Sequence, residues 1–210
     1  MLAPVRTVAP ANMPVTLSEA KAHLRVDHDD QDDLLTAQIK AATAYLDGYA
    51  GSLGRARTTQ TWRQDFSGFA DCLPLPVSPV IAIVSISYFN ASNVQQVLDA
   101  GVYGLSADAR GAHVARQPGQ SWPATFTRSD AVAITFTAGY GAAADVPEPI
   151  RQAILLIVQR LFDGADTSID VAINRTVHAL IAPYCQSASN FDPVSASKFD
   201  PFERRRLTVA

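Results

Sequence analysis

The chain has 210 residues, 48% of them hydrophobic and 18% charged. A chain of this size buries roughly 70% of its unfolded surface without a metal or disulfide staple, which argues against global disorder. Twenty acids against 17 Lys and Arg give a net charge of −3. No basic stripe is present to release counterions from a phosphate backbone, which argues against a generic nucleic-acid binder. Cys72 and Cys185 lie far apart with no CxxC, and read as isolated thiols in a reducing compartment. The apolar runs Val80–Val84 and Ala153–Val158 are too short to span a bilayer. The N-terminus lacks the apolar core of a signal peptide.

Residues 1–15 carry Pro4, Pro10 and Pro14 and read as an extended arm, either disordered or lying on a partner. Thr16-Leu17-Ser18-Glu19 is a capping box that starts a short helix ending near Val26. Asp27 to Asp33 holds five acids in seven residues. As a calcium loop it fails, because Asp32 and Gln38 stand where glycine and glutamate are needed. Acids at a helix N-terminus favour its dipole instead. The second helix is predicted from about Gln31 to Tyr49, with Leu35, Ile39, Ala42, Leu46 and Tyr49 as one stripe. Leu34, Ala41 and Tyr45 widen that stripe.

From Arg57 to Tyr140 the period changes to two. Thr58–Phe66 alternates, Leu73–Pro79 suits an edge or a connection because of its prolines, and Val80–Phe89 is a strong strand. Val94–Leu98, Val102–Leu105, Ala112–Arg116 and Ala131–Ala138 complete an antiparallel insert of six or seven strands. Pro147-Glu148-Pro149 opens a third helix whose apolar face is Ile150, Ala153, Ile154, Ile157, Val158 and Leu161. A further helix is predicted over Val171–Ile181. Residues 185–210 lose periodicity. The fold class is therefore α+β: a helical bundle core (16–56 and 142–184), an inserted β-rich subdomain (57–141), an extended arm (1–15) and an extended tail (185–210). Packing of the second helix on the third should bury Leu35, Ile39, Leu46, Ile154, Ile157 and Leu161.

No catalytic constellation is present: GxSxG, the P-loop, GxGxxG and HExxH are all missing. His23, His28, His113 and His178 form no ligand pair, and Gly139-Tyr140-Gly141 reads as a turn before the third helix. Trp62 and Trp122 read as core anchors. No catalytic residue, metal or cofactor is expected.

One ordered set of segments is informative. It comprises Leu17–Val26, Asp29–Leu34, Gln60-Thr61-Trp62, Gly119–Pro123, Phe136–Gly141 leading through Asp145–Ile150 into Gln152–Leu156, and Ala179–Tyr184. In this order they resemble the head–tail connector, or adaptor, family of long-tailed bacteriophages and gene transfer agents. The resemblance covers about residues 16–184.

That resemblance implies a structural virion protein. It would form a ring, usually of twelve subunits, under the portal, extending the DNA channel and joining the capsid to the tail. The implied partners are further copies of itself, the portal protein and the next connector, stopper or tail terminator protein. DNA would pass without specific binding, and no membrane is involved. The implied location is the head–tail junction of a virion or phage-like particle, after assembly from the bacterial cytoplasm. Asp29, Asp30, Asp32 and Asp33 are expected on a ring-facing or channel-facing surface without metal. Phe191, Phe199 and Phe202 are expected to anchor the tail on a partner, most naturally the portal, with Arg204, Arg205 and Arg206 as rim contacts. Two other classes compete: a virion or host-binding module using the β insert, and a metal-dependent hydrolase using Asp27–Asp33.

Overall fold

Thr16 and Glu19 build the first helix start. Thr16 Oγ1 accepts from the Glu19 amide at 3.2 Å, and Glu19 Oε2 accepts from the Thr16 amide at 2.7 Å. Two orphan donors are satisfied reciprocally, and α1 runs Leu17–Leu24. The left-handed Arg25, at φ 58°, ends it. The computed structural model describes residues 1–164 and 167–185. Three more helices follow in it: α2 (Asp32–Leu46), α3 (Glu148–Asp163) and α4 (Thr167–Ile181). α2 stops short of the predicted Tyr49 because Asp47 is extended and Gly48 turns at φ 76°. Tyr49 packs instead against the β-rich part.

The helices share one core. Leu35, Ile39, Ala42 and Leu46 of α2 meet Ile150, Ala153, Ile154 and Val158 of α3, with Val177 and Ile181 of α4. Burying each large side chain contributes about 1.5–3 kcal/mol. Two expected members differ. Ile157 is only half-buried, and Leu161 is 43% exposed. At this end of α3 a cleft opens between α2 and α4, so the stripe continues past its cover.

The strands are β1 (Val5–Val8), β2 (Gln60–Phe66), β3 (Cys72–Pro74), β4 (Val80–Phe89), β5 (Gln95–Val97), β6 (Tyr103–Asp108), β7 (Gly111–Arg116) and β8 (Val132–Ala138). They form a five-stranded sheet, β1-β2-β8-β4-β5, and a three-stranded sheet, β3-β7-β6. Every strand pair in both sheets is antiparallel. The proline-bearing β3 sits at an edge, where a missing N–H costs least. β8 alternates strictly: Val132, Ile134, Phe136 and Ala138 are buried, while the residues between them face the other side. Opposite them, Trp62 pairs with Phe136, and Ile86 with Ile134. The buried face of the large sheet meets Leu73, Leu75, Val77 and Val114, forming a second core. Trp62 lies inside it, and Trp122 stacks on Phe69 at 4.6 Å. Both tryptophans are anchors, as expected.

The arm is extended, and it joins the sheet of its own chain. β1 adds to the β2 edge, pairing Val5 with Arg63 and Arg6 with Trp62. Leu2 donates to the Asp65 carbonyl at 3.0 Å, and Gln64 Nε2 donates to the Leu2 carbonyl at 2.6 Å. A short, proline-flanked segment whose four residues are all exposed suits an edge strand. The sequence reading missed this because β1 is only four residues long.

Candidate functional site

Besides the link from β1 to α1, two chain crossings join the helical core to the sheets, and a buried polar node lies at the first of them. Asp47 caps the end of α2, with its side chain 7% exposed. Its carboxylate accepts from Gln60 Nε2 at 3.1 Å, from Arg6 Nη1 at 3.2 Å and from the Arg57 amide at 3.2 Å. Arg57 Nη2 lies 3.2 Å from the same carboxylate and donates to the Thr43 carbonyl of α2. Arg57 is almost fully buried. Burial pushes its guanidinium down to about 10 while Asp47 pulls the other way, so it remains charged at neutral pH. One carboxylate thus connects the arm, the end of α2 and the entrance to β2.

The returning crossing is Gly139-Tyr140-Gly141. The Tyr140 amide donates to the Arg57 carbonyl at 2.8 Å, and the Thr59 amide to the Gly141 carbonyl at 3.0 Å. Gly139 has φ 136°, and a Cβ there would lie 2.4 Å from the Thr58 carbonyl oxygen. Only glycine permits so close an approach of the two crossings. The expected turn is therefore the inner half of the junction. Sequence reasoning missed Asp47 and Arg57. The helix end at Asp47-Gly48 was visible in the sequence, but no periodic signal marks an arginine for burial.

The acidic segment sits at the start of α2. Lys21 Nζ of α1 lies 2.5 Å from Asp29 Oδ1 and 2.8 Å from Asp32 Oδ1. The ammonium holds the Asp29 carboxyl below its usual range, and the same hydrogen bonds raise Lys21. Asp30 and Asp33 are exposed, with His28 Nδ1 3.8 Å from Asp30 Oδ2. Asp32 and Asp33 occupy the first helical turn, where the dipole favours them. Among the described residues, no group of three or more His, Cys, Asp or Glu is placed to hold a metal ion. The four aspartates therefore share one corner of the bundle, and Lys21 engages two of them. The tail residues Phe191, Phe199, Phe202, Arg204, Arg205 and Arg206 lie outside the described residues.

Arg151 of α3 bridges in the opposite direction. It pairs with Glu19 of α1, with Glu148 at 3.0 Å, and donates to the Pro14 carbonyl at 3.3 Å. The hydrogen bond from the Thr16 amide, aided by Arg151, holds the Glu19 carboxyl below its usual range. Among the described residues, no helix is long and apolar enough to cross a membrane.

Residues 14–96 match the family model described as phage gp6-like head-tail connector protein. No curated protein matches the chain. Among solved structures, the chain is similar to one from the neck of an empty gene transfer agent (GTA) particle computed with C6 symmetry. That match has a TM-score of 0.71 at 22% identity, covering 89% of this chain and 96% of that one. A chain from the virion of a native GTA particle matches over the same shares, with a TM-score of 0.69 at 23% identity. A chain from the neck of a native GTA particle computed with C12 symmetry matches with a TM-score of 0.67 at 21% identity. By sequence over residues 14–96 the protein is similar to phage gp6-like head-tail connector proteins, and by fold over 89% of its length it is similar to a chain from the neck of a GTA particle.

Proposed function

We propose that this chain is a structural head–tail connector, twelve copies of which form a ring beneath the portal at the capsid vertex. The observation that carries this reading is the joint match: a connector family over α1, α2 and β2 to β4, and the fold of a GTA neck chain over 89% of the length. The ring extends the DNA channel and offers its far side to the next connector, stopper or tail terminator protein. The chain works as a scaffold and has no catalytic role. Its physical character suits a conduit. Twelve copies at −3 each sum to about −36, and like charge keeps passing DNA from sticking. Asp29, Asp30, Asp32 and Asp33 face the ring or its channel.

The C-terminal tail reaches the portal, its phenylalanines serving as anchors and Arg204–Arg206 as rim contacts. Both described cores lie within residues 1–185, so deleting residues 190–210 leaves the fold intact. Heads assembled with the truncated protein should fail to retain it and should leak DNA or stay tailless. If the truncated protein attaches to portal-bearing heads as well as the full chain does, the tail is not the docking element.

A further inference from the structure

A cleft of about 160 Å³ opens between α2, α3 and α4. Tyr45, Ile157, Leu161, Val177 and Ile181 line it, so its lining is largely apolar. Tyr45 is 38% and Leu161 43% exposed, which is unusual for large side chains facing a helical core. An apolar cavity of about 150 Å³ is enough to take a benzene ring. The cleft therefore has the size and character of a receptor for one phenyl group. Its rim carries Arg160 and His178, and Arg160 also donates to Asn174.

The chain supplies a matching ligand. Phe-Asp-Pro occurs twice beyond Cys185, as Phe191-Asp192-Pro193 and Phe199-Asp200-Pro201. In each copy an aromatic ring is followed by a carboxylate suited to a cationic rim. A proline disfavours helical backbone for the residue before it, which lowers the entropy that such a pair loses on binding. The body releases this segment close to the cleft. The Cys185 amide donates to the carbonyl of Ile181, a lining residue, at 3.1 Å. Phe191 lies six residues along the chain from Cys185, and that length of chain spans up to about 20 Å. The stretch of α4 along the cleft, Asn174 to Ile181, is only about 10 Å long.

We propose that Phe191-Asp192-Pro193 of the chain's own tail docks in this cleft. The Phe191 ring sits among Ile157, Val177 and Ile181, and the Asp192 carboxylate sits at the Arg160 and His178 rim. The shorter loop favours Phe191 over Phe199. The root of the tail is then pinned to the bundle, which narrows the portal anchors proposed above to Phe199 and Phe202, beside Arg204–Arg206.

The test uses the isolated full-length protein, so it stands or falls separately from the connector reading. The methyl resonances of Ile157, Val177 and Ile181 are followed by NMR, with those of Ile86 and Ile134 in the second core as controls. Phe191→Ala should abolish the ring-current shifts of the three cleft methyls and leave the controls in place. Asp192→Lys should weaken the same shifts, and Phe199→Ala should leave them unchanged. Cleft methyls unmoved by Phe191→Ala, or moved by Phe199→Ala instead, would overturn the assignment. A third arm mixes labelled Phe191→Ala protein with unlabelled wild type. If mixing restores the shifts, the occupant comes from another copy, and docking within the chain is wrong.

Discussion

Asp47 receives hydrogen bonds from the arm, from β2 and from a buried arginine, so its loss is felt in three places. Removing it leaves the Arg57 guanidinium charged and buried without its counter-ion. Asp47→Ala should therefore cost about 3–5 kcal/mol in chemical denaturation, the usual range for breaking a buried pair from one side. A change under about 0.5 kcal/mol, as at an ordinary surface position, would show that the node does not hold the junction. Glu19 makes a prediction in pH. Its folded carboxyl titrates below the unfolded value near 4.5, chiefly because the Thr16 amide hydrogen-bonds the charged form. That contribution is present above the unfolded value and is lost as pH falls through the folded one. Glu19→Gln should flatten the acid limb of the stability profile and leave its shape near pH 7 unchanged. An acid limb identical to wild type would remove Glu19 from the account.

At the scale of elements, the helical stripe makes two opposite forecasts from one pattern. Leu46 is fully buried between α2 and α3, so Leu46→Ala should cost about 2–5 kcal/mol. Leu161 continues the same periodicity but borders the open cleft, so in the chain lacking residues 190–210, where Phe191 cannot fill that cleft, Leu161→Ala should fall nearer the surface range of about 0.5 kcal/mol. Urea titrations of both variants in the truncated chain check this; equal costs there would mean that another part of the chain covers Leu161. The contrast also shows what was legible in the sequence. Periods of 3.6 and 2 report which face of an element is apolar, so α2, α3, β4 and β8 were readable as elements, and Leu35, Ile39, Leu46 and Ile154 as buried residues. Periodicity does not report how far a neighbouring element extends. Leu161 and Tyr45 were therefore assigned to a stripe that α4 leaves partly uncovered. The same limit hid β1, which is held by an edge of β2 that exists only once β8 and β4 have formed the sheet. The acidic start of α2 was readable from the dipole rule, but its capture by Lys21 depends on how α1 turns back through Arg25.

At the scale of the whole molecule, two cores are joined by a buried polar junction. The helical part carries the acidic corner and the cleft; the sheets form a separate mass held by the 57–59 and 139–141 crossings. In the proposed role the protein acts through where it sits. The most direct measurement is a cryo-electron microscopy reconstruction of the particle that contains this protein, made at the single vertex where the tail joins. The account predicts a ring of this chain between portal and tail, with twelve copies around the DNA channel and the tail segment running toward the portal. Density for the chain at another location, such as a fibre or baseplate, or a neck from which it is missing, would contradict it.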